Sequence, residues 1–128
     1  MIKNETKFWH EIKKNTTGIS WTRIENTSLL GTPDLLGYNT NSHFFTVELK
    51  VTRGNKIKFS PHQIAFHVRH PNNTFILTKH LASRDVRLYE GKVIEPNFTT
   101  MSFEKYYTFG ELMSNMMNLM ASKFNFLQ

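Results

Sequence analysis

The sequence contains no cysteine. That removes disulfides and thiolate metal sites, and it fits an intracellular chain. Acidic residues are scarce as well: 10 Asp and Glu stand against 16 Lys and Arg, for a net charge of +6 and a pI near 9.7. This balance favours a polyanionic partner, such as nucleic acid or an anionic membrane. No apolar run is long enough to span a bilayer, and no basic-then-apolar leader opens the chain, so no membrane association is expected. Internal repeats, low-complexity tracts and linkers are also missing, which leaves one domain over residues 1–128 as the expectation.

What is present is a hydrophobic share of 39%, enough for a globular chain with one modest core. A chain of 128 residues has room for a small sheet and about three helices. It has no room for a separate recognition domain. Binding and chemistry must therefore share one surface.

Asn4 can cap a first helix reaching about Lys14, with Phe8, Trp9 and Ile12 on one face. Residues 19–25, ISWTRIE, alternate and are rich in β-formers. DLLGY (34–38) and HFFTVELKV (43–51) read as the two strands of a hairpin. Ser60, Pro61 and Gln63 form the start of a helix, with Gln63 completing a capping box. Pro71-Asn72-Asn73 turns the chain into a short buried strand, TFILT (74–78). Residues 85–95 read as a small hairpin around Glu90-Gly91, and Thr108 with Glu111 opens a last helix to about Phe124.

The hairpin carries charge where strands should pack. Side chains alternate along a strand, so Phe44, Thr46, Glu48 and Lys50 share one face, and Phe45, Val47, Leu49 and Val51 the other. A turn centred on Asn41 sets Asp34 directly across from Glu48. Two carboxylates so placed have Cβ atoms roughly 5 Å apart, and like charges in that arrangement are destabilising. A divalent cation resolves the conflict, because hard metals take carboxylate oxygens. Lys50, one pleat further, brings a positive charge to the same place.

The stretch GTPDLLG…FTVELKVTRGNKIKFSPHQ resembles the core of the PD-(D/E)xK nuclease superfamily. Gln63 narrows the resemblance to small VRR-NUC nucleases and archaeal-type Holliday junction resolvases, families with small stand-alone phage members. It covers about residues 4 to 78. It implies an α/β fold with a restriction-endonuclease-like core, a central mixed β-sheet flanked by helices. The implied activity is Mg²⁺- or Mn²⁺-dependent endonuclease cleavage of DNA, branched or duplex, in a prokaryotic or phage-infected cytoplasm. A nucleic-acid-binding protein that keeps the fold without cutting is the alternative, as is a nicking or flap nuclease.

The same resemblance assigns roles. Asp34 and Glu48 would hold the metal, aided by the Leu49 carbonyl. Lys50 would activate the attacking water or neutralise the phosphate, and Gln63 would steady it. The family often adds an acid from the first helix. Glu5 fits, since it shares the stripe of Phe8, Trp9 and Ile12; Glu25 competes for that place. Arg53, Lys56 and Lys58, in the loop after the motif, would contact backbone phosphates. His62, His67 and His70 suggest a surface helix without a zinc set. The broad Met-rich face of the last helix, with Met116 and Met120 near its middle, is the expected homodimer patch.

Overall fold

The structure is a computed structural model, and it describes residues 4–16, 18–24, 31–40, 42–54, 56–94 and the backbone of 100–102. The elements in chain order are α1 (Asn4–Asn15), β1 (Ser20–Arg23), β2 (Leu35–Tyr38), β3 (Phe44–Thr52), β4 (Lys56–Lys58), α2 (Pro61–Arg69), β5 (Thr74–His80), β6 (Val86–Glu90), a 3-10 turn (Gly91–Val93) and β7 (Thr100–Ser102). Five strands form one sheet in the order β1-β2-β3-β5-β6, and β4 pairs with β7 in a second. Only the β3–β5 pair in the large sheet is parallel, so the sheet is mixed. A parallel pair needs a crossover, and here β4 and α2 supply it.

The two faces of β3 pack against different layers, as the strand period requires, and Val47, Glu48 and Leu49 are all buried. Phe45, Val47 and Leu49 pack with Phe8, Trp9 and Ile12 of α1, and with Phe75, Leu77 and Val86 of the neighbouring strands. On the other face Ile76 joins Ile57, Phe59 and Ile94, with Ile64 of α2 against them. α1 is tied at its end: the Trp21 indole donates to Thr16 Oγ1 at 2.7 Å, and that hydroxyl donates to the Ile12 carbonyl. The chain can pass Gly37 only because it lacks a Cβ, since the Phe45 ring lies across it.

The hairpin register is the expected one, with Leu35 opposite Val47 and Leu36 opposite Thr46. The capping box of α2 is formed in full, Ser60 Oγ accepting from Gln63 N and Gln63 Oε1 from Ser60 N. Other expectations need correction. The helix includes Asn4 in its first turn, so Asn4 is not left outside as its cap. Lys56 and Lys58 do not sit in a loop; they flank buried Ile57 on β4, whose partner β7 lies far along the chain. Glu90-Gly91 does not turn a hairpin, because β6 pairs with β5 and the chain then enters a 3-10 turn. Gly91 meets His67 and Thr74, leaving no space for a side chain there. His67 is not on a surface face but is 1% exposed, and burial pushes its pKa down to about 4. The expected helix from Thr108, with Met116 and Met120, lies outside the described residues, as does Glu25.

Candidate active site

The β2–β3 ladder ends at Leu35 and Val47. One residue further, the strands part, and Asp34 and Glu48 stand in the fork. Two contacts hold Asp34 there. Its backbone carbonyl accepts from Ile24 N at 2.8 Å, and its Oδ2 accepts from Leu49 N at 2.7 Å. A side chain thus takes over a backbone donor where the ladder stops. A strand residue presents its N–H and C=O at one edge, so the Leu49 carbonyl also faces the Asp34 side. Gly31, at φ 82, lies against the His62 backbone at the start of α2, where a Cβ would not fit.

Glu48 is 2% exposed. Its Oε1 accepts from Gln63 Nε2. Its Oε2 is buried with no donor among the described residues. Ionised carboxylates only accept hydrogen bonds, so Asp34 can bond to Glu48 only if the pair holds a proton. Desolvation first, and the Asp34 charge second, push the Glu48 carboxyl up to about 9. Glu5 reaches the same place from α1. Although its side chain is largely exposed, partial desolvation and then Asp34 raise its pKa too.

Lys50 follows on the same face as Glu48. Its Nζ donates to Gln63 Oε1 at 2.7 Å and lies 4.9 Å above the centre of the Phe59 ring. Burial lowers its pKa, against the opposing pull of Glu48, Asp34 and Glu5. Gln63 therefore does two things at once. Its Oε1 caps α2 through Ser60 N at 2.9 Å and also receives Lys50, while its Nε2 grips Glu48. Two donors on Oε1 fix which way the amide faces. Phe59 carries no charge, so the pattern of ionisable residues passed it over. Its signal was its position before the N-cap, apolar and matched by Ile64, the hydrophobic staple of a helix start.

A cleft of ≈ 540 Å³ opens beside this cluster, with Glu5 and Lys50 on its wall and Arg53, Lys56 and Lys58 around it. The three basic side chains are exposed. Glu5, Asp34, Glu48, Lys50 and Gln63 are thus gathered into one place, with Arg53, Lys56 and Lys58 lining its approach. His62 and His70 are exposed on α2 and take no part in the cluster.

Among the described residues no three His, Cys, Asp or Glu side chains are gathered closely enough to clasp a metal ion as they stand. The donors nevertheless suit a hard divalent cation. They are all oxygens, one buried carboxylate oxygen lacks a partner, and two acids face each other at the cost of a raised pKa.

Neither a protein-family profile nor a curated protein sequence matches the chain. Solved structures do. One is the Archaeoglobus fulgidus Hjc, a Holliday junction resolvase from an archaeal hyperthermophile, with a TM-score of 0.61 and 13% identity over 88% of this chain and 97% of that one. Another is the bacterial homing endonuclease I-Ssp6803I, with a TM-score of 0.59 and 9% identity over 94% and 93% of the two chains. The fold is restriction-endonuclease-like. In that fold the fork between β2 and β3, the N-terminus of α1 and the first turn of α2 converge on one end of the mixed sheet.

Proposed function

We propose that the chain is a Mg²⁺- or Mn²⁺-dependent DNA endonuclease that selects branched DNA, in the manner of a Holliday junction resolvase. The observation that carries this reading is the buried Glu48, whose carboxyl lies beside that of Asp34 and whose Oε2 has no partner among the described residues. A group so placed is costly in a structure that needs it only for packing. Similarity in fold to a junction resolvase and a homing endonuclease supports DNA as the substrate class.

Asp34, Glu48 and the Leu49 carbonyl would hold the cation, which when bound supplies Lewis acidity and a water of lowered pKa. Lys50, steadied by Gln63, places its ammonium at the phosphoryl group and stabilises the charge that grows there. Gln63 also holds the Glu48 carboxyl in its rotamer, so one amide sets the spacing of acid and base. Glu5, next to Asp34 on the cleft wall, is the third acid of the site. Arg53, Lys56 and Lys58 hold backbone phosphates of the incoming strand, which positions the DNA without reading its sequence. Resolution needs two symmetric cuts, so the working form is a homodimer, with each copy supplying one site.

The test is a panel of labelled four-way junctions, flaps, nicked duplexes and plain duplexes, incubated with Mn²⁺ or with chelator. Cation-dependent cutting that favours branched substrates supports the reading. Tight DNA binding with every substrate intact would assign the chain to nucleic-acid binding without cleavage.

A further inference from the structure

Away from the cleft, the hairpin carries a second feature that the proposed chemistry does not use. Tyr38 and Phe44 are register partners at the far end of β2 and β3, and their rings sit 4.6 Å apart. Both face solvent, Phe44 at 59% exposure and Tyr38 at 37%. Exposed singly, aromatics of this kind need no account. Here two form a ledge, and a hollow of ≈ 220 Å³ opens beside it. Phe44, Phe66 and His70 line the hollow, and Thr46 is among its residues. Phe66 and His70 are themselves stacked, 4.5 Å apart and tilted by 32°. Among the described residues the buried Thr46 hydroxyl has no hydrogen-bond partner, and Asn72, which carries a carboxamide, also lines the hollow.

We propose that this ledge and hollow bind one unpaired nucleobase of the DNA substrate. Aromatic walls suit the faces of a base, and an orphan hydroxyl with a nearby carboxamide suits its edge. The charge is complementary to a strand that carries phosphates: among the described residues no Asp or Glu lines the hollow, and exposed His70 does, with exposed Arg69 next to it at the end of α2. The placement is also continuous with the candidate active site. Phe44, Thr46 and Glu48 alternate onto one face of β3, so the ledge and the buried acid share that face. Four strand steps separate Phe44 from Glu48, about 13 Å, which is about four stacked nucleotide steps. The proposal rests on the nuclease reading and sharpens it. The favoured substrate has an unpaired base roughly four nucleotides from the cut, as bulges and open branch points provide.

The experiment is a titration in chelator, so that binding is read without cleavage. The probes are a duplex carrying one extrahelical 2-aminopurine and the same duplex fully paired. Stacking on the ledge should quench the extrahelical probe. Phe44→Ala should abolish the quench and weaken binding of the bulged DNA roughly tenfold, within the range for one base–aromatic stack. Binding of the paired duplex should not change, and Phe44→Trp should restore the quench. Equal weakening on both DNAs, or no change on either, overturns the proposal. A Phe44→Ala variant that loses self-association or much of its thermal stability also overturns it, since the ledge is then covered by protein. Failure of the nuclease reading looks different, because quenching then persists while no DNA is cut with Mn²⁺.

Discussion

Replacing Glu48 with Gln should stabilise the metal-free protein. A carboxyl whose pKa rises from 4.5 to about 9 on folding supports the fold fully only below pH 4.5. Its contribution drains away as pH climbs towards 9, because the folded site resists giving up the proton. At pH 7 the site has been carried about 2.5 pH units into that window, a loss of roughly 3 kcal/mol. An amide at position 48 cannot ionise. It can accept from Gln63 through its oxygen and donate to Asp34 through its nitrogen, as the protonated acid does. Urea unfolding in chelator from pH 5 to pH 8 reads the difference. The variant should unfold about 1.5 M later than the wild type at pH 7, for a slope near 2 kcal/mol per molar. The two curves should converge towards pH 5. Saturating Mg²⁺ should close the gap, as a cation at a hundred times its Kd adds about 2.7 kcal/mol to a protein that binds it. Equal midpoints at pH 8 in chelator, or a gap that widens towards pH 5, would refute the argument that Glu48 is held against its charge.

Gln63→Ala removes the grip on Glu48 as well as a capping bond, whereas Ser60→Ala removes the hydroxyl cap alone, worth about 1 kcal/mol. Cleavage should fall at least a hundredfold in the first and stay within about threefold of wild type in the second, measured at equal folded fraction; parallel losses would make Gln63 a structural residue. Neutralising Arg53, Lys56 and Lys58 together should lower the slope of log affinity against log salt by about 2.7 without changing sequence preference, which fluorescence anisotropy at several salt concentrations will show. Sedimentation should find a dimer at micromolar concentration that Met116→Lys with Met120→Lys converts to monomers. A wild-type monomer, with or without DNA, would leave a nicking or flap nuclease as the better account.

The hairpin was legible because its signals are local. Alternation fixes the faces of β3, the short turn fixes the register, and the two together set Asp34 across from Glu48. The start of α2 was legible for the same reason, since Ser60, Pro61 and Gln63 act within one helical turn. What escaped was set by distant partners. Ile57 between two lysines is too short a pattern to mark a strand, and β4 exists because β7 comes to meet it. The burial of His67 follows from the packing of α2 over Phe59 and beside Gly91, and a histidine three residues after Ile64 does not announce which way it faces. For Gln63 the sequence pattern marks the capping, and only the resemblance points to the bridging. The amide has two ends, and the structure uses both.

Where the ladder of β2 and β3 stops, Leu49 N–H is bonded to a carboxylate rather than to a carbonyl, and Ser60 N–H is bonded to the Gln63 side chain. These two amides are therefore reporters already built into the backbone. Their exchange with deuterated solvent depends on whether the Asp34 and Gln63 side chains hold their places, while the neighbours of Leu49 on β3 are shielded by the sheet itself. A ligand that draws Asp34 away from Leu49 would speed exchange at one amide and leave the strand around it slow. Local opening of the fork can thus be told from unfolding of the sheet, amide by amide, in the untouched protein.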